Sequence, residues 1–131
     1  MTSRWWWGVM GALLCVPMAS ADLLPTQLYT TQTKNATSNT IQSDTAFWTP
    51  VSGFKIVLQG CFVAADAAQV IDFEVSDVDV ITPIYLPSNG TISIQSGGVP
   101  IWVSAVDEVL RFSTATAAVT SITCWGYEVR P

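Results

Sequence analysis

The sequence predicts an all-β protein, folded as a single antiparallel β-sandwich of the jelly-roll type. About seven or eight short segments alternate apolar and polar residues, and turn-forming residues separate them at intervals of about 8–12 positions. Valine, isoleucine and threonine, which favour strands, are frequent. The sequence shows no convincing 3.6-residue periodicity of an amphipathic helix.

Residues 1–21 have the layout of a secretory signal peptide. A short start with one positive charge, Arg4, precedes an uncharged apolar run, and Ala19 and Ala21 supply the small residues of a cleavage site. A retained membrane anchor is the alternative, but a spanning helix needs roughly 20 apolar residues and this run is shorter. We therefore expect cleavage before Asp22 and a secreted protein located outside the cell, on a cell surface or in a virion, with no membrane segment after cleavage.

Residues 22–45 are polar and lack a regular period, which predicts an extended N-terminal arm with room for one short strand. A β-sandwich domain of residues 46–131 is expected to follow. Two interpretations of the arm stay open: a frayed terminus, or an arm that adds a strand to a neighbouring subunit. The candidate assembly contacts are the large apolar residues at its start, Leu23, Leu24, Leu28 and Tyr29.

Residues 54–64 form the clearest predicted strand. Both of its faces are fairly apolar, which is typical of a central strand. Strict alternation places Ile56, Leu58 and Phe62 on one face and Cys61 on the other. Gly60 marks the position of a bulge or of a close backbone approach.

Residues 70–75 alternate again, with Ile71 and Phe73 facing inward and acidic residues between them. Ser76-Asp77 interrupts this register, and a strand is expected to resume beyond it with its faces exchanged. Pro83 and Pro87 flank residues 84–86, which predicts an edge strand.

Asn89-Gly90 is the strongest hairpin signal in the chain, because a type I′ turn needs two positive φ angles. It predicts a hairpin that joins residues 84–86 to residues 91–95. Further strands are expected at residues 99–103, 109–113 and 119–129. In the last of these, Trp125 and Tyr127 should face one side and Ile122 and Cys124 the other.

Signal cleavage leaves two of the three cysteines, Cys61 and Cys124. An even pair in an exported protein predicts a disulfide. Two buried free thiols are the alternative. A zinc site is not expected, because two thiolates without histidine do not complete a tetrahedral shell.

Charge and composition exclude several functions. Residues 22–131 hold four basic residues against ten acidic ones, a formal net charge of −6. Such a surface repels phosphate backbones, so nucleic acid is not expected as a partner. The chain has no histidine to act as a general base for a nucleophile. We therefore expect no catalytic residues, no cofactor and no enzymatic activity.

The acidic cluster comprises Asp72, Glu74, Asp77 and Asp79. Carboxylates are calcium ligands, but the cluster lacks the glycine and the spacing of a calcium loop. It is a weak calcium candidate, and a solvated strand face is the preferred interpretation. No other metal ligands are predicted.

Aromatic residues are the remaining candidates for binding. Exposed rings can stack on sugars or anchor a protein interface. Trp102 and Tyr85 are the candidate binding aromatics, with Trp102 placed to project from an edge, whereas Trp48 and Trp125 are expected in the core. Asn35 and Asn89 begin N-glycosylation sequons, which matter only in a host that glycosylates them.

Two stretches carry a family resemblance: residues 47–58, which begin Phe-Trp-Thr-Pro-Val-Ser-Gly, and residues 107–112, followed by residues 119–129. Together they resemble small β-sandwich domains of phage virion proteins and of uncharacterised bacterial surface proteins. The resemblance covers about two thirds of residues 22–131 and implies a structural role without catalytic residues. The chain departs from that pattern in its signal peptide, its two cysteines and a longer middle at residues 66–86.

These observations together predict a non-enzymatic structural subunit of an extracellular assembly, whether a virion, a filament or a surface layer. Its expected partner is another copy of itself, in a homo-oligomer or polymer. The alternative is a secreted monomeric module that binds a carbohydrate or a surface receptor. The solution mass distinguishes the two.

Overall fold

The structure, a computed structural model, describes residues 29–131. In this part of the chain nine strands form two antiparallel sheets that enclose one hydrophobic core, so the predicted all-β, sandwich-like fold is confirmed. The strands are β1 (Gln32–Ser38), β2 (Thr45–Trp48), β3 (Lys55–Ala65), β4 (Gln69–Val75), β5 (Val78–Leu86), β6 (Gly90–Gln95), β7 (Trp102–Val103), β8 (Leu110–Thr114) and β9 (Thr120–Val129). Within residues 29–131 no helix is long and apolar enough to cross a membrane. The predicted signal peptide lies outside the described residues.

The strands pair in a nested order. Sheet A has the order β1-β9-β3-β6, with β7 also beside β3, and sheet B has the order β2-β8-β4-β5. The chain folds back between β4 and β5, and the strands on the two sides of this turn then pair successively: β4 with β5, β3 with β6, β2 with β8 and β1 with β9. Consecutive pairs therefore alternate between the two sheets.

The core lies between the sheets and draws on both. Its largest fully buried side chains are Trp48, Phe73, Ile56, Leu58, Ile71, Leu110 and Ile122. Burial alternates strictly along β4 and along most of β9, as the apolar pattern predicts. Burial of these apolar side chains contributes about 1.5–3 kcal/mol each relative to their exposure.

Strand β3 is central, as predicted, because it pairs with β9 on one side and with β6 and β7 on the other. The register with β9 shifts between Leu58 and Gly60, so the predicted bulge at Gly60 is also confirmed. The shift inserts one extra residue into β3, so the side chains beyond the bulge face the opposite sides of the sheet from those that strict alternation predicts. The prediction that Phe62 shares the face of Leu58 is therefore wrong: Cys61 and Val63 face the core, and Phe62 faces outward.

The predicted hairpin at Asn89-Gly90 is wrong. Strand β5 lies in sheet B and β6 lies in sheet A, so these residues connect the two sheets. Asn89 still occupies a turn with a positive φ of 53°, closed by the Gly90 N–H donating to the Pro87 carbonyl at 2.9 Å. Asn89 has the predicted positive φ but Gly90 does not, so the turn is not of type I′, and the chain leaves it toward the other sheet.

A two-residue hairpin turn occurs instead at Ser76-Asp77. Both residues have positive φ, 49° and 62°, and Val75 pairs directly with Val78. This is the backbone pattern of a type I′ turn, formed without glycine. The expected interruption of the register is thus a reversal of the chain. Strand β5, which contains Pro83, does lie at an edge of sheet B as predicted.

The predicted N-terminal arm is largely part of the sandwich. Residues 32–38 form β1, which pairs with β9 of the same chain over seven residues without interruption. Beyond β1, the Gln42 N–H donates to the Thr114 hydroxyl at 2.8 Å, and Arg111 bonds to Asp44 at 3.2 Å. The boundary expected at residues 45/46 therefore does not separate an arm from a domain.

Candidate functional site

The outer face of sheet A carries a continuous group of uncharged side chains, which we call the neutral face. The registers of β1, β9, β3 and β6 align it in three rows of four. The rows are Thr37, Ser121, Ala64 and Thr91; Asn35, Thr123, Phe62 and Ser93; and Thr33, Trp125, Gly60 and Gln95. None of the fourteen charged residues at positions 22–131 belongs to these three rows.

Aromatic rings supply the apolar part of the neutral face and of its margin. Phe62, at the centre of the middle row, is 43% exposed. The ring of Trp125 lies directly over Gly60, where a Cβ atom would collide with it. Beside the neutral face, Tyr29 stacks on Tyr127 with ring centroids 5.1 Å apart. Neutral hydroxyl and amide groups around large rings are cheaper to desolvate than charged groups.

The outer face of sheet B is charged. One row across it reads Ala46, Arg111, Glu74 and Asp79. Glu74 accepts a hydrogen bond from the Ser113 hydroxyl, and Arg111 makes a salt bridge with Asp44. The two outer faces of the protein therefore differ in character, and the charges keep the sheet B face solvated.

The structure divides the predicted acidic cluster. Asp72, Glu74 and Asp79 lie on neighbouring positions of the sheet B outer face, while Asp77 sits in the β4–β5 turn. Within the described part of the chain, no three histidine, cysteine or acidic residues come together in an arrangement that could hold a metal ion. The cluster offers no built calcium site.

Asp72 differs from the other members of this cluster in the surroundings of its carboxylate. Its Oδ1 atom is buried without a hydrogen-bond partner. Burial raises the pKa of the Asp72 carboxyl above its ordinary value of 3.8, and the negative charges of Asp79 and Glu74 raise it further. A carboxyl group whose pKa is raised by folding destabilises the fold once the unfolded chain ionises.

We expect Asp72→Asn to stabilise the protein at neutral pH. Below the unfolded pKa both states of the wild type are protonated and the variant has no advantage. The advantage appears as pH rises above 3.8 through the raised folded pKa, and it persists at pH 7. Thermal melts should show a rise of roughly a few degrees at pH 7 and none near pH 3. Asp77→Asn is the control, since it removes the same charge from an exposed turn. Equal gains in both variants would assign the effect to net charge.

The disulfide between Cys61 and Cys124 is confirmed. The two residues lie directly opposite each other on β3 and β9, with Cα atoms 4.0 Å apart, so the bond joins two strands of one sheet. Both side chains are fully buried in the core. The bond closes a sequence separation of 63 residues and removes both thiols from chemistry.

The candidate binding aromatics separate in the structure. Trp102, in β7, pairs with Leu58 of β3 at the margin of sheet A, and its side chain packs partly buried against the core. Tyr85 lies on edge strand β5 and is 74% exposed. Trp48 lies in the core as predicted, but the prediction that Trp125 lies in the core is wrong, because Trp125 faces outward. Of the candidate arm contacts, Leu23, Leu24 and Leu28 lie outside the described residues, and Tyr29 stacks on its own domain.

Residues 29–131 contain no pocket-sized cavity or cleft. Comparison with known protein families and with curated protein sequences finds no match to this chain. The resemblance to phage virion and bacterial surface domains therefore stays a prediction.

The neutral face was missed from the sequence, although one signal was present. In residues 32–38 the outward positions Thr33, Asn35 and Thr37 alternate with partly buried ones, which is the period of a strand. In residues 120–129 the outward positions are likewise uncharged up to Tyr127. Which strands lie side by side, and hence that these neutral positions form one surface, depends on pairings far apart in the sequence.

Proposed function

We propose that this protein is exported by its N-terminal signal and serves as a non-enzymatic structural subunit of an extracellular assembly. The assembly is built from copies of this chain. The observation that carries the proposal is the neutral face. Interface cores are depleted of charged residues and enriched in aromatic ones. Because the chain carries a strong negative charge, the electrostatic repulsion between two copies is smallest where their contact surfaces lack charged residues.

The fold is compatible with a structural role. The nested strand pairs alternate between two four-stranded arrangements, with β7 as a short addition, and this supports the jelly-roll assignment. Jelly rolls serve in viral capsids and in lectins, so the fold class agrees with both the proposed function and its alternative without deciding between them. The disulfide occupies both cysteines, which agrees with a protein that performs no thiol chemistry.

The proposal predicts that the chain of residues 22–131 self-associates through the neutral face. Thr123 lies between Asn35 and Phe62 at the centre of this face. Thr123→Glu places a charge there, which must be desolvated on association, and should abolish association through the neutral face and lower the solution mass below that of the wild type. Sedimentation of both proteins at up to ~100 µM, well above a micromolar dissociation constant, measures the effect.

Two controls separate the surface from the charge. Thr123→Val keeps the position neutral and of similar shape, and Val78→Glu adds the same charge at an exposed residue near the β4–β5 turn. Both should associate like the wild type. A wild type that is monomeric across the whole range would overturn the proposal. The exposed ring of Tyr85 would then favour the secreted binding module, tested by titration with soluble glycans.

A further inference from the structure

Within residues 29–131, strand β1 forms an edge of sheet A, pairs only with β9 and lacks the usual protection of an edge strand. Edge strands of monomeric proteins are normally blocked by proline, by charged side chains, by bulges or by shortness. Residues 32–38 contain no proline, and their register with β9 shows no shift over seven residues. The one charged residue, Lys34, lies on the core-facing side, with its Nζ atom 5.4 Å from the centre of the Trp48 ring.

Both edges of sheet B carry such features. Strand β2 has four residues and a register shift between Ala46 and Trp48, and β5 contains Pro83 and carries Asp79 on its outer side. Strand β6 is neutral but one residue shorter, and the N–H of its first residue, Gly90, is already bonded to Pro87.

Both ends of β1 are held in place. Before the strand, Tyr29 stacks on Tyr127. After it, the Gln42 side chain donates to the Ser38 hydroxyl at 2.7 Å, while the Gln42 backbone N–H bonds to Thr114. A preorganised edge loses little further conformational entropy when a new strand pairs with it.

We propose that β1 pairs in an antiparallel manner with β1 of a second copy, joining two A sheets into one continuous sheet about a two-fold axis. Pairing of one strand with itself is isologous and closes as a dimer. All seven residues pair only when the axis passes through Asn35, so that Thr33 lies opposite Thr37 of the second copy. In this register neutral residues face each other, and Lys34 lies opposite Ala36 rather than another lysine. Main-chain hydrogen bonds supply the affinity, as in other cases of strand addition.

This inference rests on the proposed function, since it names the partner and one contact of the assembly. Cysteine cross-linking tests the register directly. Residues opposite each other on antiparallel strands come within reach of a disulfide, as Cys61 and Cys124 do within the chain. Asn35→Cys should therefore cross-link to itself under mild oxidation, as read on a non-reducing gel.

Two further variants define the expected pattern. Thr33→Cys alone and Thr37→Cys alone place their thiols about 13 Å from the same residue of the second copy, beyond the reach of a disulfide. Each alone should cross-link at least roughly tenfold more slowly than Asn35→Cys, whereas a mixture of the two should cross-link readily. These three positions are exposed, and thiol titration and thermal melts verify that each variant is folded and reactive.

The solution mass of the wild type, measured alongside, separates the two proposals. If the wild type is oligomeric but Asn35→Cys does not cross-link faster than the single Thr33 and Thr37 variants, the edge pairing is overturned and the assembly function still stands. If Asn35→Cys cross-links to Ser93→Cys in a mixture of the two variants but does not cross-link to itself, the pairing of β1 with β1 is also overturned, in favour of β6 as the partner strand. A monomeric wild type overturns both.

Discussion

Removal of the disulfide by the double substitution Cys61→Ala and Cys124→Ala is expected to cost about 4 kcal/mol of unfolding free energy. The bond closes a separation of 63 residues, and the chain-entropy model gives this value for a loop of that length. Total stabilities of domains are only about 5–15 kcal/mol, so the loss is a large fraction. The melting temperature should fall by roughly 15–30 °C.

The buried position of the disulfide adds a packing contribution to the expected loss of unfolding free energy. Both cysteines are fully buried between β3 and β9, at the centre of sheet A. A second comparison therefore uses the unmutated chain, melted with and without a strong reductant, which keeps both sulfur atoms in the core. The reduced chain should show most of the loss. Equal melting temperatures of the oxidised and reduced chains would contradict a stabilising role for the bond, and free thiols in protein from its native compartment would refute its formation there.

Trp48→Ala is expected to cost about 3–5 kcal/mol, the range for deleting a large buried aromatic side chain. Trp48 is 0% exposed and lies in the core between the sheets. Its Nε1 donates to Glu128 Oε1 at 2.9 Å, and the other carboxylate oxygen of Glu128 accepts from the Val51 N–H at 2.8 Å. The side chain thus joins β2 of sheet B to the end of β9 in sheet A.

Trp48→Phe separates packing from hydrogen bonding. It keeps much of the ring volume and removes the Nε1 donor, so we expect a smaller loss of about 1–3 kcal/mol. Trp102→Ala is the matched control, because Trp102 is only partly buried at the sheet margin and should cost less. Urea unfolding measures all three variants. A loss for Trp48→Ala no larger than that for Trp102→Ala would contradict a central structural role for Trp48.

Local patterns predicted much of the fold. The alternation in residues 69–75 predicted which side chains of β4 face the core, and Gly60 predicted the bulge in β3. The even pair of cysteines within residues 22–131 predicted the Cys61–Cys124 bond. These predictions hold because strand alternation, glycine geometry and cysteine pairing leave their signature within a few residues or in composition alone.

Other features could not be predicted because they depend on what a segment meets. Asn89 adopts the positive φ that it favours, yet its turn leads from sheet B to sheet A. One bulge at Gly60 reverses the side that Phe62 faces. Residues 32–38 are too polar to predict a buried strand, and they are ordered by pairing with β9 some ninety positions away.

The sequence by itself determined the all-β class, the core face of β4 and the covalent bond between Cys61 and Cys124. Only the tertiary structure decided which strands are neighbours, and therefore that uncharged residues from four strands form one face and that β1 lies at an edge of sheet A in the described part of the chain. The physical reason is that alternation and turn preferences are energies of adjacent residues. Strand pairing and register are instead chosen by the packing of the whole core, in which each strand contributes a face that can be matched by several others.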